Sequence, residues 1–258
     1  MDLGLNNKVA VVTGSSRGLG KAISEALGRE GCRLLICARG VEALREVEDE
    51  LVSSGVEVHA VVADITDPGA AERLRSAAIE RFGRIDVLVG NAGGNRRKPF
   101  EETTDQDWAD ILEVNVLSHL RCARAVIPEM RRTGGGAILF ISSIFGREAG
   151  GPGLSIYNST KSAIISAAKI MALELAGEDI RVNTIAPGSI RFPGGSWDRR
   201  VSEDPEGMRA FVEANIPMGR FGRAEEIADL AAFLVSERAS LITGACINAD
   251  GGQSHSLI

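Results

Sequence analysis

The sequence predicts an α/β fold: a doubly wound parallel sheet of about seven strands, with helices on both faces. Three observations carry this expectation. Short apolar, β-branched runs alternate with amphipathic stretches of helical period through the first half of the chain. The strand-like runs are continuously apolar, as strands covered on both faces must be. The first of them leads directly through a glycine-rich turn into a helix, the opening of a βαβ unit.

In order, residues 8–13 read as strand, 18–30 as a helix closed by Gly31, and 33–38 as strand. Residues 41–54 read as helix, 56–63 as strand, 68–82 as helix and 85–90 as strand. A further helix starts at Thr104-Asp105-Gln106-Asp107, a capping-box pattern. Its apolar stripe runs from Trp108 and Ile111 to Ile127 and Met130, with Asn115 and His119 falling on it. Residues 137–141 form the next strand and end in Ser142-Ser143; glycine-rich residues 146–153 lead to a helix holding Tyr157. Residues 181–186 read as strand, 224–236 as helix and 245–249 as the last strand. Between them, residues 189 to about 218 form a long loop with a short helix begun by Asp204-Pro205-Glu206, the form of a substrate lid. No linker or low-complexity tract divides the chain, so residues 1–258 are expected to form one domain.

Hydrophobic residues make up 44% and charged residues 25%, ordinary for a soluble globular protein. A net charge of −6 argues against a nucleic-acid partner and suits the cytoplasm. The apolar run Val9-Ala10-Val11-Val12 has no basic stretch before it, and no segment is long and apolar enough for a bilayer, so neither signal peptide nor membrane contact is expected. The four cysteines form no C-x-x-C pair, and reduced thiols with no metal site are expected.

The chemistry concentrates on Tyr157, the only tyrosine, and Lys161 one helical turn later. A free phenol titrates near 10, and a neighbouring cation is expected to lower it toward useful acid–base range. The turn Gly14-x-x-x-Gly18-x-Gly20 lets the backbone approach a pyrophosphate at a helix amino terminus. Strand two ends in Ala38-Arg39, without the acid that holds a ribose 2′-hydroxyl; Arg39 and Arg17 instead suit a 2′-phosphate, hence NADP(H). Asn115 on an apolar face needs hydrogen-bond partners, and backbone groups could supply them. His119 reads as a packed histidine. The cations Arg96-Arg97-Lys98 and Arg191 raise the expectation of an anionic or strongly polar substrate, against the alternative of a solvated loop.

Together these motifs resemble the short-chain dehydrogenase/reductase superfamily over nearly the whole chain, most of all its 3-oxoacyl reductases. The resemblance implies a Rossmann-type sheet on which Gly14, Ser16, Arg17, Gly18, Leu19 and Gly20 surround the pyrophosphate. It places Asp64 and Ile65 at the adenine, Asn91, Ala92 and Gly93 beside the adenine ribose, and Pro187, Gly188 and Ile190 against the nicotinamide. Its catalytic tetrad maps onto Asn115, Ser143, Tyr157 and Lys161, with Ser143 chosen over Ser142 because the family serine precedes a glycine, here Gly146. In this family Ser143 and Tyr157 would bind the substrate carbonyl, Tyr157 would deliver a proton, Lys161 would tune it and hold the nicotinamide ribose, and Asn115 would hold a water. The implied activity is NADPH-dependent reduction of a small-molecule ketone or 3-oxoacyl carbonyl. The alternatives are a sugar, polyol or secondary-alcohol dehydrogenase, or a non-catalytic NADP-binding sensor. Relatives pair the Tyr157 helix and the Asn115 helix across two-fold axes, which implies a homotetramer. Three departures stand out: a slightly long Ser143–Tyr157 interval, Phe192 where threonine is frequent, and Gly177-Glu178-Asp179 where carrier-protein reductases tend to be basic.

Overall fold

Every residue of β1 (Val9–Thr13) is buried, as expected of a strand covered on both faces. The computed structural model to which it belongs describes residues 2–257; Met1 and Ile258, the ends of the expected 1–258 domain, lie outside the described residues. From β1 the chain alternates through α1 (Gly18–Arg29), β2 (Arg33–Ala38), α2 (Val41–Ser53), β3 (Val58–Val62), α3 (Ala70–Phe82) and β4 (Val87–Gly90). It continues through α4 (Asp105–Leu112), α5 (Ser118–Thr133), β5 (Gly136–Ile141), α6 (Ser155–Leu175) and β6 (Ile180–Pro187). The lid segment holds β7 (Ile190–Arg191), α7 (Ser196–Glu203) and α8 (Pro205–Asn215). Then follow β8 (Gly222–Arg223), α9 (Ala224–Val235) and β9 (Cys246–Ala249).

Seven strands make one parallel sheet in the order β3-β2-β1-β4-β5-β6-β9. The strand order reverses between β1 and β4, and the crevice at their carboxyl ends is where such sheets bind ligands. Two apolar layers hold the helices to the sheet. One joins Ile23 and Leu27 of α1, Leu44 of α2 and Ile227 of α9 to Val12 and Leu34. The other joins Leu74 of α3, Met130 of α5 and Ile164 of α6 to Val11, Leu35 and Leu88. Fully burying each such side chain contributes about 1.5–3 kcal/mol, so both layers fix the sheet edge that carries the site.

The expected capping box is present: Thr104 Oγ1 accepts from Asp107 N at 3.2 Å, and Asp107 Oδ2 accepts from Thr104 N at 3.0 Å. Three expectations differ in detail. The helix begun there is not continuous, because a π turn at Glu113–Leu117 separates α4 from α5. The third helix starts at Ala70, since Asp67 Oδ1 accepts from Gly69 N and shapes a turn first. The lid carries two helices rather than one, and β7 and β8 form a small parallel ribbon of their own. None of the described helices is long and apolar enough to cross a membrane.

Candidate active site

At the switch point, the turn after β1 is fastened to the end of β4. Asn91 Nδ2 donates to Thr13 O at 2.9 Å and Gly14 O at 3.2 Å, while Thr13 Oγ1 accepts from Asn91 N at 3.0 Å and from Ala92 N at 3.2 Å. Gly14 has φ +69°, and a Cβ on Gly20 would lie 2.2 Å from Gly14 O, so the turn closes only with glycine. Arg17, the residue before α1, is extended and no side chain caps the helix. The first N–H groups around Ser16, Gly18 and Leu19 are therefore free for an anion. Arg39 at the end of β2 is 79% exposed and stands 3.6 Å from Asp64. Asp64 follows β3, next to buried Ile65, and accepts from Thr66 N at 2.9 Å and Thr66 Oγ1 at 2.7 Å. Partial burial works against the Asp64 carboxylate, but Thr66 and Arg39 outweigh it and hold the group below its ordinary value. Pro187, Gly188 and buried Ile190 form the far wall at the end of β6, where Gly188 N donates to Ala249 O. A glycine cradle, an uncapped helix end and two exposed arginines on one edge fit a dinucleotide carrying an extra phosphate.

Tyr157 and Lys161 lie on one face of α6, with the ammonium 5.7 Å from the phenol ring centroid. Ser143 lies near the Tyr157 hydroxyl, close enough for its side chain to favour the phenolate. Ser142 instead donates to Lys161 O at 2.9 Å, so of the two serines it is Ser143 that reaches the phenol. Lys161 is buried and donates to Ile141 O at 2.9 Å. Burial pushes its ammonium down to about 8. The expected lowering of Tyr157 is corrected in direction: burial raises the phenol, and Ser143 only partly opposes it.

Asn115 sits in the π turn, fully buried. Its Oδ1 accepts from Gly94 N at 2.8 Å, and its Nδ2 donates to Gly94 O at 2.9 Å and Thr160 Oγ1 at 3.0 Å. Both amide protons are thus taken by the protein. Thr160 in turn donates to Tyr157 O at 3.0 Å, linking Asn115 to the tyrosine turn. A Cβ on Gly93 would lie 3.1 Å from Asn115 Oδ1 and 3.6 Å from Lys161 Nζ, so the end of β4 closes directly on the group. His119 is buried, 2.7 Å from Ala92 O through Nε2, with no partner at Nδ1 among the described residues. Burial first, and Lys161 second, push it down to about 4, so it is a neutral packed histidine as expected.

A cleft of about 660 Å³ opens before Ser143 and Tyr157, bounded by the loop preceding α6, by Trp197 and Phe211 of the lid, and by His255. Trp197 stacks on Phe211 at 4.9 Å and meets Phe221 at 5.3 Å. Phe192 of the lid rests on the glycine turn: a Cβ on Gly18 would lie 2.6 Å from its ring. The expected cation patch is corrected. Arg96 donates to Asp107 at 2.6 Å and to Asp110 at 3.1 Å, Lys98 to Asp107 at 2.8 Å, and Arg191 to Asp198 at 2.9 Å. These partners neutralise three of the four cations, and only Arg97 lines the cleft. Thr160 and the lid residues Trp197 and Arg200 are the site residues that sequence reasoning passed over. A polar residue at helical spacing from Asn115's expected partners would not have revealed Thr160, since the two meet only in the fold.

A family model described as enoyl-(acyl carrier protein) reductase matches residues 14–254. The chain belongs to the short-chain dehydrogenase/reductase superfamily, in its 3-oxoacyl-reductase-like branch, and is an NAD(P)-dependent oxidoreductase. It is 35% identical over 250 residues to the 3-oxoacyl-[acyl-carrier-protein] reductase FabG of Escherichia coli (strain K12), covering 97% of this chain and 98% of that protein. Among solved structures it is similar to L-sorbose reductase from Gluconobacter frateurii in complex with NADPH and L-sorbose. That likeness has a TM-score of 0.94 and 35% identity and covers 100% of both chains. A 7α-hydroxysteroid dehydrogenase in complex with NADH and 7-oxo glycochenodeoxycholic acid has a TM-score of 0.91 at 32% identity, covering 100% of this chain and 98% of that one.

Proposed function

We propose that this chain is an NADPH-dependent reductase that converts a ketone or 3-oxoacyl-type carbonyl to an alcohol, with Tyr157 as the general acid. The observation that carries this reading is that Ser143 and Tyr157 line one cleft side by side, with Lys161 buried beside the phenol ring. NADPH, when bound, supplies the hydride. Ser143 and Tyr157 donate to the carbonyl oxygen and stabilise the negative charge that develops there. Because burial raises the Tyr157 phenol, it is protonated at neutral pH and ready to give that proton to the alkoxide. Lys161 favours the phenolate left behind, and Asn115, whose side-chain amide is already taken, would hold through its backbone carbonyl the water that returns the proton. Gly14, Ser16, Gly18, Leu19 and Gly20 take the pyrophosphate, and Arg17 with Arg39 takes the 2′-phosphate. Asp64 and Ile65 take the adenine, Asn91–Gly93 the adjoining ribose, and Pro187, Gly188 and Ile190 the nicotinamide. The L-sorbose reductase, bound to NADPH, supports the cofactor assignment.

That same similarity favours a second reading, a sugar or polyol oxidoreductase. A non-catalytic sensor is disfavoured, because such a protein has no use for Ser143, Tyr157 and Lys161 brought together. NADPH oxidation measured with 3-oxoacyl thioesters, simple ketones and L-sorbose decides between the two enzyme readings: turnover of the thioesters or ketones supports the first, and turnover of L-sorbose alone supports the second. We read residues 1–258 as one domain with 189–218 as its lid, and an acidic chain with four separate thiols as suited to the cytoplasm. Exposed Ile170 and Leu173 on α6, with Leu112 and Leu117 near the π turn, support a homotetramer paired through these helices. Light scattering that reports a monomer at micromolar concentration contradicts that assembly.

A further inference from the structure

We propose that the substrate carries an anionic group, a carboxylate in the simplest case, held at the cleft mouth between Arg97 and Arg200; this rests on the reductase reading of the same cleft. Both arginines line the cleft that holds Ser143 and Tyr157, and they approach it from different walls. Arg97 stands on the loop that follows β4 and packs against the loop before α6. Its Cγ lies 3.0 Å from where a Cβ on Gly153 would be, and its Nη2 donates to Pro152 O at 3.3 Å. Arg200 comes from α7 of the lid, its guanidinium stacked over the Trp197 ring at 4.9 Å from the centroid. A guanidinium held this way keeps most of its N–H donors free.

What distinguishes these two cations is the contrast with their neighbours. Arg96, Lys98 and Arg191, adjacent in the chain or in the lid, are each neutralised by an aspartate. Arg97 and Arg200 are positioned by neutral groups and have no carboxylate partner among the described residues. Glu148 is the acid lining the cleft, and its Oε2 already accepts from His255 N at 2.8 Å. The cleft mouth therefore carries excess positive charge on fixed donors, the arrangement that binds a planar carboxylate. Because Arg200 belongs to the lid, an anion bridging the two arginines would also draw the lid toward the loop after β4.

The test compares acid and amide of one skeleton. As substrates with NADPH, 4-oxocyclohexanecarboxylate and 5-oxohexanoate are set against their carboxamides. In parallel, binding of non-reducible cyclohexanecarboxylate and cyclohexanecarboxamide to the chain–NADP⁺ complex is measured by calorimetry. The acid is expected to be favoured about tenfold for each arginine contact, and the preference should shrink with added salt. In R97Q/R200Q the acid-to-amide ratio should fall toward one, while R200K, which keeps the charge, should retain part of it. Equal binding of acid and amide, or a preference that survives in the double variant, overturns the inference whatever the turnover. Acid-selective binding without reduction of any ketone supports the anion site and faults the reductase reading alone.

Discussion

Replacing Asn115 by leucine removes an amide that makes three hydrogen bonds, of 2.8, 2.9 and 3.0 Å, in a fully buried position. Each such bond contributes about 0.5–1.5 kcal/mol net, so their joint loss is expected to cost about 3 kcal/mol. Leucine is of similar volume, and the loss therefore reports polar groups left unpaired rather than a cavity. For a chain of this size about 1 kcal/mol corresponds to about 2–4 °C in Tm, which places Asn115→Leu about 10 °C below wild type. Thr160→Val removes one of these three bonds together with the Thr160–Tyr157 O bond, and should lower Tm by about 6 °C. The assay is scanning calorimetry at one protein and cofactor concentration, since bound ligand and assembly both shift Tm. An Asn115→Leu protein that melts with wild type but has lost turnover would refute the view that this amide clamps β4 to α6.

Arg39→Ala should weaken NADPH about ten- to a hundredfold and leave NADH nearly unchanged, because losing one charged hydrogen bond contributes roughly that much. Ala38→Asp should add repulsion to the 2′-phosphate, and kcat/KM for both cofactors reads each effect; a wild-type preference for NADH contradicts the assignment. His119 supplies a pH test. Its folded value of about 4 lies below the unfolded 6.5, so the unfolded chain takes up the proton first as pH falls. Stability from this group is full above about 6.5 and is lost progressively until about 4, a total of about 3 kcal/mol. Urea unfolding between pH 7 and 4 should show a shallower acid loss in His119→Leu, and an identical slope in both proteins would rule that origin out.

The sheet and its order of elements were legible because continuous apolar strands such as Val9–Thr13 have only one architecture that buries both faces. The Tyr157–Lys161 pair and the Gly14–Gly20 turn were legible for a similar reason: their spacing is itself the geometry. The π turn at Glu113–Leu117 was not, since a shift of one hydrogen bond leaves an apolar stripe that still reads as a plain helix. Nor was α7, an eight-residue helix whose apolar side chains are only Trp197 and Val201, too few to set a period within a loop. The direction of the Tyr157 shift was missed because sequence shows the neighbouring cation but not the burial that outweighs it. Likewise Arg96 and Lys98 read as free cations until the fold brought Asp107 between them. Such pairings across a loop decide which charges are left for a ligand, and sequence spacing alone does not show which of them form.

Tyr157→Phe tests the proposed chemistry most directly, because it removes one hydroxyl and leaves the ring that packs near Lys161. With a ketone that the wild-type enzyme reduces, kcat is measured under conditions where chemistry limits the rate, alongside NADPH binding by fluorescence. Loss of nearly all turnover with cofactor affinity largely intact is the expected result. A variant that keeps more than about a tenth of the wild-type kcat would show that Tyr157 is not the proton donor.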